Sequence, residues 1–253
     1  MTRSGNPVFQ EGVQVYLTDG QGLMVYFFYL IIFALLQFLA LILPTGEPQF
    51  WMGPAYLFKF SSVAALLLMV YFGLRLANQE FVSWRFEALK RWVHQQGIKV
   101  SGIALGQISL LALHAMIFIL LSFPLLAWAG AVARTPVGSI LSTLLLLLFY
   151  SITYSVWGLV ALALWEHRVD SRRVFIRWLF VCLVLLSGLL YLPLNPVAFL
   201  LYHLGGLELG APLELWGWRW EGPEVHFVFH FVLLASSLLL YGWALKRLKR
   251  GFA

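Results

Sequence analysis

His226 and His230 stand four residues apart near the start of the last apolar stretch, a spacing that puts both imidazoles on one helix face. Such a pair can hold Zn²⁺ or Cu²⁺, but a metal centre needs further ligands, and no H-E-x-x-H frame surrounds these two. Hydrogen bonding near the end of that stretch is the expected role, and no metal is assigned. His114 lies near the middle of another apolar run, where a polar group is costly unless paired. It must face another helix or a polar cavity, so a structural bond and a place in a substrate path both stand; Gln37 raises the same two readings. Nucleotide chemistry is missing. A phosphate cradle needs Lys in a G-x-x-x-x-G-K-[ST] frame, and without one the chain cannot hydrolyse ATP by that route.

The elements that must position these residues follow from composition. The chain has 253 residues, 61% hydrophobic and 11% charged, against about half apolar and about a quarter charged for soluble domains. It reads as an integral membrane protein. A bilayer core needs about 20 apolar residues per helix, which places spans at about 22–43, 55–77, 101–129, 137–165, 175–192 and 225–245. Runs such as LLLLLFY and LVLLSGLLYL do not alternate, which excludes an outer-membrane barrel. The expected fold is all-α, six spans in a single domain over 1–253, with no internal repeat.

Lys and Arg set the orientation. Fourteen fall in one set of loops and two, Arg134 and Arg219, in the other, with Lys59 inside a span and expected to snorkel. By the positive-inside rule both termini are cytoplasmic. Glu47, Glu208, Glu214, Glu221 and Glu224 fall on the outer side. The net charge of +6 then needs no nucleic-acid partner, because the bases lie beside anionic headgroups. The first 21 residues lack the apolar core of a cleavable signal, so the first span is expected to serve as an uncleaved one. Cys182 stands alone, which rules out an intrachain disulfide.

One charged stretch interrupts this sequence, EFVSWRFEALKRWVHQQGIKVSGIALGQ at 80–107. Read as a helix over 81–93, it puts Phe81, Trp84, Ala88 and Trp92 on one face and Glu80, Glu87, Lys90, Arg91 and His94 on the other, with Glu87 able to pair with Arg91. Gly97 breaks the pattern, and Gly102 and Gly106 are expected to turn the chain into the third span. The mixed charges of Glu166-His167-Arg168 and Asp170-Ser171-Arg172-Arg173 read as a solvated loop. Trp216, Trp218 and Trp220, at alternate positions, form one aromatic face if extended, suited to a membrane belt, a flat headgroup or an accessory extracytoplasmic protein.

The order of these parts, with Asn6-Pro7-Val8-Phe9-Gln10-Glu11 at the start, Ala104-Leu105-Gly106-Gln107 leading to Ser122-Phe123-Pro124-Leu125, and the outer Pro193-Leu194-Asn195-Pro196, resembles the type-2 permeases of ATP-binding-cassette exporters. Gln10 and Gln107 stand where that family usually has a basic residue, and Gly12 where it usually has Leu. The resemblance implies that 81–96 contains a coupling helix contacting an ATPase through Phe81, Trp84, Glu87, Lys90, Arg91 and Trp92. It implies an interfacial helix over 5–20 bearing Asn6, Pro7 and Glu11, and a substrate path in which Gln37 and His114 are candidates. Two cytosolic ATPase chains carrying ATP and Mg²⁺, and a second permease, are the implied partners in a bacterial inner membrane. The alternatives are a scaffold or assembly factor without transport, and a haem redox protein using His114 with His203, His226 or His230.

Overall fold

Uninterrupted apolar sequence forms helices in a bilayer because every backbone N–H and C=O must be satisfied within the segment. The computed structural model describes residues 5–18, 20–42, 53–94, 98–215 and 217–250, so Arg3, Glu47, Gln96, Gly97 and Trp216 lie outside the described residues. It is 83% helical, which makes this an all-α membrane protein. The helices are α1 (Pro7–Val13, continued by a π turn over Gln14–Thr18), α2 (Gly20–Ile42), α3 (Leu57–Ala77), α4 (Leu89–His94), α5 (Val100–Val132) and α6 (Val137–Leu164). Then come α7 (Val169–Leu179, run by a π segment over Phe180–Leu186 into α8, Ser187–Leu190), α9 (Pro196–His203) and α10 (Gly222–Arg250). Six of these stretches are long and apolar enough to cross a membrane: α2, α3, α5, α6, the α7–α8 run and α10. An antiparallel hairpin, β1 (Leu213–Leu215) with β2 (Trp218–Trp220), is the departure from pure helix among the described residues.

α3 and α6 form the centre, with 67% and 72% of their most apolar windows buried against 22–39% in the other spans. Small residues permit that contact. A side chain at Gly158 would strike the Leu74 carbonyl and Ala77, and one at Gly73 would strike Ser155, the close backbone approach that holds helices together where lipid cannot drive apolar association. Around this pair pack Tyr29, Phe33 and Phe118, with Phe72 of α3 meeting Tyr29 and Phe118, whose ring centroids are 4.6 Å apart.

Three boundaries differ from the sequence reading. Gly102 and Gly106 do not make a turn but lie inside α5, where Gly106 leaves room for Asn6 and Val8 of the N-terminal helix. Gly12 faces Leu110 in the same contact. The third span runs to Val132 rather than 129, with Pro124 inside it; the amide of Gln37 donates to the Leu125 carbonyl beside that proline (2.9 Å) and to Ser61 (3.0 Å). The fifth span starts at Val169 rather than 175, because its first turns are amphipathic, burying Arg172 and Ile176 and exposing Val174 and Trp178.

α1, the segment joining α3 to α5, the α6–α7 loop and the last turns of α10 all gather at one end of the bundle, hereafter the basic end: Asn6 reaches Gly102, Leu89 reaches Glu166 and His94 reaches the Leu248 carbonyl. α9, the hairpin and the start of α10 form the opposite end.

Candidate partner-docking site at the basic end

Residues 81–93 are not one helix. Ser83–Arg85 form a single 3-10 turn, Phe86 is extended, and α4 begins at Leu89. Tertiary contacts override the helical periodicity. The Glu87 N–H donates to Oε1 of Glu11 (2.7 Å) and the Leu89 N–H donates to Glu166. Phe81 stacks on Phe72 (5.9 Å, 13°) beneath the Arg75 guanidinium, and Phe86 packs against Tyr16 (5.4 Å). A continuous helix would have to give up all of these.

The expected common face therefore splits. Trp92 is buried and its indole N–H donates to Oε2 of Glu11 (3.2 Å), whereas Trp84 is 71% exposed. Glu87 and Arg91 do pair, at 2.8 Å, with Arg91 standing outward. Lys90 lines a depression of about 490 Å³ with Trp165, Glu166, Arg168 and Arg247. Glu87 and Trp92 line a second of about 480 Å³ with Pro7, Gln10 and Glu11, and Ser83, Trp84 and Glu87 line a third of about 310 Å³ with Glu166 and Arg172. The segment is thus a ridge between hollows.

Glu11 is the joint between this ridge and the bundle. The Asn6 side chain caps α1 by accepting from Val8 N–H (3.0 Å) and Phe9 N–H (3.4 Å), with Pro7 at the first helical position, and its amide donates to the Gly102 carbonyl (2.6 Å). That cap fixes α1 on α5 and aims Glu11 at residues 87–92. Burial raises the Glu11 carboxyl above its ordinary 4.5, against the smaller lowering effect of the Glu87 N–H and Trp92 bonds.

Glu80 is not on a solvated face either. Its side chain is 4% exposed, and one oxygen meets Arg75 (2.9 Å), Arg173 (3.9 Å) and Arg177 (3.9 Å). Arg172 is buried in the same region, whereas His167, Arg168, Asp170 and Ser171 stay exposed, so the loop read as solvated is packed only at Glu166 and Arg172. Sequence reasoning missed this cluster. Its signal was an acid five residues beyond Arg75 with a second basic run far downstream, a pairing that needs the fold to be seen.

Elsewhere the polar residues mostly bond within the bundle, although Nε2 of His114 has no partner among the described residues. Nδ1 of His226 lies 2.6 Å from the Pro193 carbonyl, which can only accept, so Nδ1 carries the proton and Nε2 accepts from the Tyr150 hydroxyl (2.6 Å). His230 repeats the pattern with the His226 carbonyl (2.9 Å) and Tyr154 (3.0 Å). Both side chains are fully buried near the start of α10, and both ring nitrogens are spent, leaving none for a metal or haem iron without breaking a bond. Among the described residues no group of three or more metal-ligating side chains gathers. His114 is buried, bonded through Nδ1 to the Tyr26 hydroxyl, and borders a cavity of about 20 Å³ with Tyr16, Gln79, Phe86 and Gln107. Gln37 is committed to the α2–α3–α5 contact described above, and Lys59 reaches the Gly205 carbonyl (3.4 Å) at the opposite end. Trp218 is 73% exposed on the hairpin.

No protein-family model matches the sequence, and no curated protein matches it significantly.

Proposed function

We propose that the chain is the permease subunit of a type-2 ATP-binding-cassette exporter in the bacterial cytoplasmic membrane, with both termini in the cytosol. In this reading it forms half of a translocation pathway with a second permease and takes work from two separate cytosolic ATPase chains. One observation carries the proposal: between the second and third spans, at the end of the bundle richest in Lys and Arg, a short charged ridge is tied by side-chain carboxylates to two other elements, α1 through Glu11 and the α6–α7 junction through Glu166. A loop with only a topological role has no need of such ties.

The break in residues 81–93 changes how the lever works. Six residues of α4 are too few to form a stiff arm by themselves. Stiffness comes instead from bracing: Glu11 carries a push to α1 and α5, Glu166 carries it to the α6–α7 junction, and Phe81 carries it to α3. Lys90, Arg91 and Glu87 present the charge that an ATPase cleft would grip, and Trp84 the exposed aromatic. When ATP draws two ATPases together, the braced end moves as one body and the spans re-tilt, as alternating access requires.

The test first asks whether a neighbouring reading frame encodes a cassette ATPase, then reconstitutes that ATPase with this chain. Glu87→Lys, Lys90→Glu and Arg91→Glu together keep the internal ion pair with its polarity reversed, so the ridge should fold while its charge pattern inverts. Loss of co-purification and at least a ten-fold drop in stimulated ATPase rate are expected. Unchanged stimulation by the reversed chain would contradict the lever role, and no stimulation by the unaltered chain would favour a non-transporting assembly factor.

A further inference from the structure

The Glu80 cluster does more than close a salt bridge. Three guanidiniums converge on one carboxylate oxygen, and only Arg75 is at hydrogen-bond distance, held over the Phe81 ring at 4.3 Å and near Tyr71 at 5.2 Å. Nε of Arg75 and Nε of Arg173 are buried with no hydrogen-bond partner among the described residues, as is Nε of the almost fully buried Arg172 beside them. Arg173 and Arg177 keep 42% and 59% of their side chains exposed, and their other acidic neighbour is Asp170 at the rim, 3.7 Å from Arg173. Oε2 of Glu80 is likewise buried without a partner among the described residues, and the arginines here outnumber Glu80 and Asp170, so the cluster keeps net positive charge and unpaired donors.

Its open side borders an exposed apolar stripe. Arg173 and Arg177 form one stripe of the fifth span, and the next stripe is Val174 and Trp178, 52% and 64% exposed on a membrane-crossing helix. Tryptophan at that depth marks the headgroup layer, and basic pockets between spans at a membrane boundary suit phosphate groups, which guanidinium grips with two parallel bonds. We infer that Arg173 and Arg177, pre-oriented by Glu80 and backed by Arg75, bind the phosphodiester headgroup of an anionic phospholipid at the edge of the second and fifth spans. Neither the ATPase partner nor the transport reading is needed for this.

Native mass spectrometry of the intact purified protein, titrated with phosphatidylglycerol or phosphatidylcholine, tests it. Phosphatidylglycerol should be retained about ten-fold better. Arg173→Gln with Arg177→Gln should erase that preference, the Lys pair should restore part of it, and Arg134→Gln at the opposite end should change nothing. Because the Arg75–Glu80 pair survives in the double variant, its melting temperature should stay close to that of the unaltered chain; should it fail to fold, the lipid preference of the unaltered chain and of the Lys pair decides. Equal retention of the two lipids, or full phosphatidylglycerol retention by the Gln pair, would overturn the site. Displacement of phosphatidylglycerol by millimolar inorganic phosphate would assign it to free phosphate instead, and likewise overturn the lipid.

Discussion

The two ends of the bundle bury polar groups in opposite ways. At the end formed by α9 and the start of α10, the buried groups are neutral and the histidine and asparagine network is fully paired, with only hydroxyls such as Thr143 Oγ1 left without a partner among the described residues: both nitrogens of His226 and His230 are bonded, and Asn195 caps α9 while its amide donates to the Val184 carbonyl (2.9 Å) and Ser187 (3.2 Å). At the basic end the buried groups are charged and incompletely matched, with Glu80 short of partners for three arginines and Glu11 and Glu166 spent on a loop's backbone. A saturated neutral network holds a fold together and asks for nothing more. A charged one with donors left over is poised to meet something else.

That contrast can be broken by variants whose effects should differ in kind. The largest expected loss is from Gly106→Leu, which would drive a side chain into Asn6 and Val8 and prise α1 from α5; overpacking of this kind costs about 3 kcal/mol. Melting should drop, and proteolysis should open the chain near α1 first. Asn195→Ala should cost about 2 kcal/mol, combining a lost N-cap with a buried carbonyl left unpaired. That loss should register in global melting with no change in hydrogen exchange at 86–94.

Glu11→Ala should do the reverse. It frees the Glu87 N–H and the Trp92 indole, costs about 1 kcal/mol, and should raise exchange across 86–94 while the global melt barely moves. The same carboxylate gives a pH signature. Its folded-state pKa is raised above 4.5 by burial, so the folded chain holds the proton more tightly than the unfolded one. The bracing is then strongest below about 4.5 and weakens as pH rises through the window up to the raised value. Protection at 86–94, corrected for intrinsic exchange, should fall across that window, and Glu11→Gln should flatten the dependence. Smallest of all, Trp218→Ala at the exposed hairpin should shift stability by no more than about 0.5 kcal/mol; a larger shift would mean that the opposite end is not simply architecture.

Much of this was legible in the sequence. Spans declare themselves because length and apolarity are local properties, and the Glu87–Arg91 pair followed from spacing alone. Asn6-Pro7 and Asn195-Pro196 were noticed as motifs, and both turn out to be Asn N-caps with proline at the first helical position, for reasons of backbone geometry. What could not be read is whatever depends on a distant partner. Residues 81–93 have good helical periodicity, yet Glu11, from more than seventy positions earlier, takes an N–H that a helix would use. Glu80 looked like one more exposed charge until Arg173 and Arg177 arrived from another span. Gly106 looked like a turn because nothing local reveals that α1 lies across it.

The central claim is that the braced ridge at 83–94 is where a nucleotide-driven partner sits. Its most direct test is a photo-crosslinking residue placed at Arg91, with a second placed at Trp218, in membranes co-expressing a cassette ATPase found in a neighbouring reading frame or by co-purification. The account predicts a crosslink to that ATPase from position 91 that strengthens with bound nucleotide, and none from position 218. No ATPase crosslink from position 91, or equal yields from both positions, would contradict it.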